Sequence, residues 1–107
     1  MPLELSVSRK EELIEVMAKE LVVLRAKSGV SQDELSKGIG LSRQTYQAIE
    51  SGKRKMTWRT YLALLLFFDY NHTTHEMLRN LNIFPLEFQN SKQLYPETEN
   101  CKIDGVN

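Results

Sequence analysis

Two helix-start signals lie eleven residues apart in this chain, Ser31 and Ser42, with Gly38-Ile39-Gly40 between them. Ser31 with Glu34 is a capping box, in which hydroxyl and carboxylate satisfy free backbone N–H groups at a helix start. Ser42 is a good N-cap for a second helix running through Tyr46 and Ile49 to Ser51, with Gly52 placed to close it. This spacing leaves room for two short helices and a tight turn and for little else. Two such helices make a helix-turn-helix, whose second member can enter a DNA major groove.

Each position in that stretch has a physical job. Leu35, Ile39, Leu41, Tyr46 and Ile49 are spaced to point inward and fix the crossing of the two helices. Ser36 stands where the helices approach closely and a large side chain would push them apart. Gly40 lies where the first helix must reverse, and a positive φ costs glycine almost nothing. Ser42, Arg43, Gln44 and Gln47 are left on the outer face of the second helix. Arginine offers a bidentate fork to guanine and glutamine one to adenine, so these are candidates for reading bases.

The rest of the chain also reads as helices. Ser8 with Glu11 has capping-box spacing, and Leu13, Met17, Leu21 and Leu24 follow at helical intervals, predicting a helix from about Arg9 to Lys27 that stops at Gly29. Thr57 caps a fourth helix, with Met56 and Tyr61 at the positions of a hydrophobic staple. Thr73 and Glu76 form a last capping box for a fifth helix ending near Asn82. Pro85 opens one further candidate helix through Leu94, and the last dozen residues read as a flexible tail. No stretch alternates strongly enough for a strand. The class is all-α.

Composition narrows the function. Lysine plus arginine and aspartate plus glutamate both number 14, so the whole chain is neutral. The charges are unevenly placed. Residues 25–59 carry eight basic against three acidic side chains, while residues 1–24 carry three against five and residues 60–107 three against six. A basic middle between acidic flanks fits a polyanion met by the middle alone. Lys53, Arg54 and Lys55, just after the second helix of the motif, suit phosphate contacts. The longest apolar run, Tyr61 to Phe68, is far short of the roughly 20 residues that span a bilayer. The N-terminus lacks a secretory signal and Cys101 is the one cysteine, so a cytoplasmic protein is expected. His72, His75 and Cys101 are too few and too spread for tightly bound zinc, and no metal or cofactor is expected. No nucleophile–base or phosphate-loop signature points to an enzyme.

The pattern Ser31-Gln-x-Glu-Leu-Ser, Gly40-Leu-Ser-Arg-x-Thr45 and Ile49-Glu-x-Gly-Lys-Arg54 resembles the Xre/Cro family of DNA-binding domains, typified by lambdoid phage repressors. The resemblance covers about Leu21 to Leu81 and implies a five-helix lambda repressor-like domain with its motif at 32–51. It implies that Gln32 touches the DNA backbone, and that Ser42, Arg43, Gln44, Gln47 and Ala48 reach base edges or nearby phosphates. Thr45 joins Gln32 and the Lys53–Lys55 loop among the phosphate contacts. It further implies an ion pair between Arg25 and Glu50. Three positions depart from the family pattern: Ser36 replaces the usual alanine, Tyr46 a β-branched aliphatic residue, and Gly38 weakens a short helix.

The expected organisation is an N-terminal arm at 1–8, the DNA-binding domain at 9–82 and a C-terminal extension at 83–107. Tyr61 to Phe68 is apolar nearly all round, so it needs cover on more than one side. A homodimer with Tyr61, Leu65, Phe68, Ile83, Phe84, Leu86 and Phe88 in its interface would supply that cover, as would a wholly intramolecular core. The function expected is a sequence-specific transcriptional regulator, in particular a repressor, on a near-palindromic double-stranded site. The alternatives are an antitoxin or restriction-system controller that represses its own operon, with a toxin as protein partner, and a protein-interaction module built on the same helices.

Overall fold

Ser6, rather than Ser8, starts the first helix. Its hydroxyl accepts a hydrogen bond from the Arg9 N–H at 3.1 Å, and its backbone is extended at φ −68° and ψ 161°. The start shifts because Leu5, one residue earlier, is buried in the core and fixes where the chain enters the helix. Residues 1–8 are therefore not all an arm. The structure, a computed structural model, describes residues 4–88. Within them are five helices: α1 Val7–Ser28, α2 Gln32–Gly38, α3 Arg43–Glu50, α4 Trp58–Tyr70 and α5 His75–Asn80. No strand occurs among the described residues. This is the all-α, lambda repressor-like arrangement.

The helix boundaries follow from capping chemistry. Ser31 and Glu34 form the reciprocal capping box of α2. Ser42 caps α3 and Thr57 caps α4 through bonds to the N–H groups of Thr45 and Thr60. The Thr73–Glu76 box does not form. Thr73 bonds the Asn71 side chain instead, and Thr74, the buried cap residue, donates its hydroxyl to the Phe68 carbonyl at 2.7 Å. That bond satisfies an orphan carbonyl at the end of α4, which a Thr73 cap would leave unpaired. Helix α5 ends at Asn80, short of the expected Asn82, and is followed by a turn in which Asn82 takes φ 55°.

Helix α1 packs on α3 and α4, α2 on α3, and α4 on α5. Leu13, Met17, Leu21 and Leu24 give α1 its buried stripe, set against Leu35, Tyr46, Ile49, Tyr61, Leu64 and Phe68. Ser36 is buried where α2 meets α3, and its hydroxyl is satisfied by the Asp33 carbonyl at 2.9 Å. The core does not stop at Asn82. Ile83 is fully buried, Pro85 is buried, and the Tyr61 hydroxyl donates to the Ile83 carbonyl. Arg9 Nε meets Glu87 Oε2 at 2.9 Å, clasping this segment to the start of α1.

That packing corrects the expected dimer interface. Tyr61, Phe68 and Ile83 have no exposed surface in the single chain, and Leu65 keeps 7%. Their apolar area is already spent on the chain's own core. Phe84 is half-buried and Leu86 and Phe88 are exposed. Of the candidate helix from Pro85 to Leu94, residues 86–88 form a short 3-10 turn, with the Phe88 N–H on the Pro85 carbonyl at 2.9 Å; the rest of that helix, and Cys101, lie outside the described residues.

Candidate nucleic-acid interface

Helix α3 is held by the core and by its own cap, which fixes what its outer face presents. Tyr46 and Ile49 anchor it in the core. The Ser42 hydroxyl accepts from the Thr45 N–H at 3.1 Å and donates to Thr45 Oγ1 at 2.9 Å. Ser42 is thus engaged as a cap, and the Thr45 hydroxyl proton is left to donate outward. Arg43, Gln44 and Gln47 are exposed and carry no side-chain bond among the described residues, while Ala48 is half-buried beside them. These residues form one outward surface, as their spacing predicts.

The loop after α3 is equally constrained. Gly52 adopts φ 85°, the left-handed turn that ends the helix, and its N–H bonds the Ile49 carbonyl at 3.1 Å. The Arg54 N–H bonds the Ala48 carbonyl at 3.1 Å, so the loop folds back against the end of α3. Lys53, Arg54 and Lys55 are exposed, and none has a carboxylate partner among the described residues. Lys37, by contrast, is paired with Asp33 at 3.2 Å. Free cations therefore flank the outer face of α3, with Arg43 at its start and the loop at its end.

Behind that face, one carboxylate ties four segments together. Glu50 Oε2 accepts from Arg25 Nε and from the Tyr46 hydroxyl, each at 2.7 Å. Its Oε1 accepts from Arg25 Nη2 at 3.2 Å and from Gln32 Nε2 at 2.5 Å. Arg25 Nη1 also donates to the Val30 carbonyl at 3.2 Å, drawing in the α1–α2 loop. The Glu50 side chain is only 6% exposed. Burial pushes its carboxyl up, but the bonds from Arg25, Tyr46 and Gln32 outweigh this and hold it below the usual carboxylate value. The bond to Glu50 raises Arg25, and burial followed by the same carboxylate raises Tyr46.

Gln32 is half-buried and spends one N–H on Glu50, keeping its second N–H and its carbonyl for an outside partner. The structure thus places Gln32 against the end of α3, where its side chain is oriented by the network. Tyr46 is the residue that sequence reasoning undervalued. A hydroxyl one helical turn before Glu50 was the available signal. His75 Nδ1 lies 2.8 Å from Asp69 Oδ1, and no cluster of three or more metal-ligating side chains exists among the described residues.

Two short helices joined by a tight turn, the second clamped against the core with unpaired cations at both its ends, form a helix-turn-helix. No helix among the described residues is long and apolar enough to cross a membrane. A family model described as Helix-turn-helix matches residues 23–73. That stretch is an Xre/lambda repressor-like helix-turn-helix domain, and the protein is a DNA-binding transcription regulator. No curated protein and no solved structure matches the chain.

Proposed function

We propose that the protein is a cytoplasmic repressor that binds a near-palindromic duplex site as a homodimer. Arg43, Gln44 and Gln47 would read base edges, with Ser42 and Ala48 closing the same surface. Gln32, Thr45, Lys53, Arg54 and Lys55 would hold phosphates. The observation that carries this reading is the division of labour on α3: among the described residues, the side chains on its outer face are unbonded and the cations fixed at its end are unpaired. Base contacts specify and phosphate contacts position, and both kinds of group are present at suitable places. Repression needs only stable occupancy of a site.

Selection of bound duplexes from a random pool tests the proposal. The expected product is a two-fold motif whose half-sites lie about 34–36 Å apart, and binding should fall steeply as salt rises. A reporter driven from a promoter overlapping that motif should be silenced. A pool that shows no enrichment, or a reporter that is activated, would overturn the corresponding part of the reading.

A further inference from the structure

Four charged side chains that have no ion pair among the described residues converge on one groove. The groove, of about 290 Å³, separates α1 from the loop after α3. Glu11 and Glu15 stand on its α1 side, and Arg54 and Lys55 on its loop side. Its floor is apolar, with buried Ile49 and Met56 at the base.

The other charges near the start of α1 are already engaged. Arg9 Nε holds Glu87 at 2.9 Å, and a second nitrogen of Arg9 lies 3.6 Å from Glu12. Lys10 lies over the Trp58 ring, 5.7 Å from its centroid. Glu11 and Glu15 are exposed and sit one turn apart on the same face of α1, where like charges repel. A cation between them relieves that repulsion, and the loop offers two across the groove. We propose that Glu11 and Glu15 are an internal stand-in for DNA phosphate: they draw Arg54 and Lys55 into the groove and so lower the affinity for DNA of any sequence.

The construction of the loop suits this competition. Its main chain is fixed by the bond from the Arg54 N–H to the Ala48 carbonyl and by the burial of Met56. The long side chains keep their freedom, each a charged head on a flexible stem. Such a head meets either the two carboxylates or a phosphate, and one state excludes the other. Lys53 does not line the groove, so nothing on α1 competes for it there. Arg43, Gln44 and Gln47 do not line it either. The two glutamates therefore set how tightly a duplex is held and leave the preferred sequence unchanged. Phosphate contacts supply nearly all binding to unrelated DNA, so weakening them shortens the stay at wrong sites.

This inference rests on the reading of the loop as a phosphate contact, and its test separates the two. Fluorescence anisotropy on a labelled duplex of mixed sequence needs no knowledge of the operator. Glu11→Gln with Glu15→Gln, two exposed changes whose fold is checked by circular dichroism, should tighten binding about three- to tenfold at low salt and less at high salt. The gain should persist in a Lys53→Ala background and vanish in an Arg54→Ala, Lys55→Ala background. An equal gain in the latter background would show that the carboxylates act only through the charge of the whole protein, and would overturn the inference. No gain at all, in a chain that Arg54→Ala and Lys55→Ala still weaken, would overturn it and leave the phosphate reading standing. Full binding by the Arg54→Ala, Lys55→Ala chain would overturn both.

Discussion

Tyr46 donates its hydroxyl proton to Glu50 at 2.7 Å, one turn along the same helix and underneath the DNA-facing surface. The ring fills core volume and the hydroxyl finds the partner that a buried phenol requires. Tyr46→Phe should retain the packing and lose one bond to a charged acceptor, costing about 1.5–3 kcal/mol. Urea unfolding measures it. An unchanged midpoint would mean that the bond adds nothing beyond the other donors to Glu50.

Arg25 and Glu50 should behave as a coupled pair. Removing one partner strands a largely buried charge, and such losses run to about 3–5 kcal/mol. The double variant Arg25→Met with Glu50→Gln should cost less than the sum of the two single changes. A cycle with no coupling energy would refute the role assigned to the pair.

The same carboxylate makes stability depend on acid. Its folded pKa lies below the unfolded value, so its contribution is complete above the ordinary carboxylate pKa, about 4.3. It is lost as pH falls through the lower folded value. Wild-type stability should therefore drop on acidification below about pH 5, with a shallower drop in Glu50→Gln. Urea midpoints measured across that range decide it.

On DNA, Arg43→Ala and Gln44→Ala should each cost about 1–3 kcal/mol and relax preference at one position of the selected motif. Lys53→Ala, Arg54→Ala and Lys55→Ala should weaken all sequences alike and lower the salt slope by about one each. Fluorescence anisotropy on matched and mismatched duplexes separates the two classes. A motif unchanged by both Arg43→Ala and Gln44→Ala would count against base reading by α3.

Two further substitutions test the fold. Gly40 has φ 81° with no atom near a built Cβ, so Gly40→Ala suffers only the backbone penalty, on the order of 1 kcal/mol. Ile83→Ala empties a fully buried site and should cost about 2–5 kcal/mol. Thermal or urea unfolding of both checks the contrast. A neutral Ile83→Ala would contradict the extension of the core past Asn82.

Much of this was legible because caps and glycines are local signals. Ser31, Ser42, Thr57, Gly40 and Gly52 act within a turn of where they stand, so their roles could be read from neighbours alone. The outer face of α3 followed from helical spacing. Ser8 and Thr73 misled for the same reason: each had the right local spacing, and a distant packing event, the burial of Leu5 or of Thr74, moved the boundary. Helix α4 was ambiguous because a helix apolar all round has no preferred inward face in sequence. Only the packing of α1 and Ile83 against Tyr61 and Phe68 assigns one. The Glu50 network joins residues up to 25 positions apart, which spacing cannot show.

The clasp between Arg9 and Glu87 spans 78 residues. A ribosome adding roughly 5–20 residues each second delivers Glu87 about 4–16 s after Arg9. The motif at 32–51 is complete well before then, and Ile83, which seals the core beside Tyr61, arrives among the last described residues. During synthesis the start of α1 therefore waits with its partner missing. A nascent chain arrested before Ile83 clears the exit tunnel would present a formed recognition helix on an unfinished core, and would be more open to proteases and chaperones than the released protein.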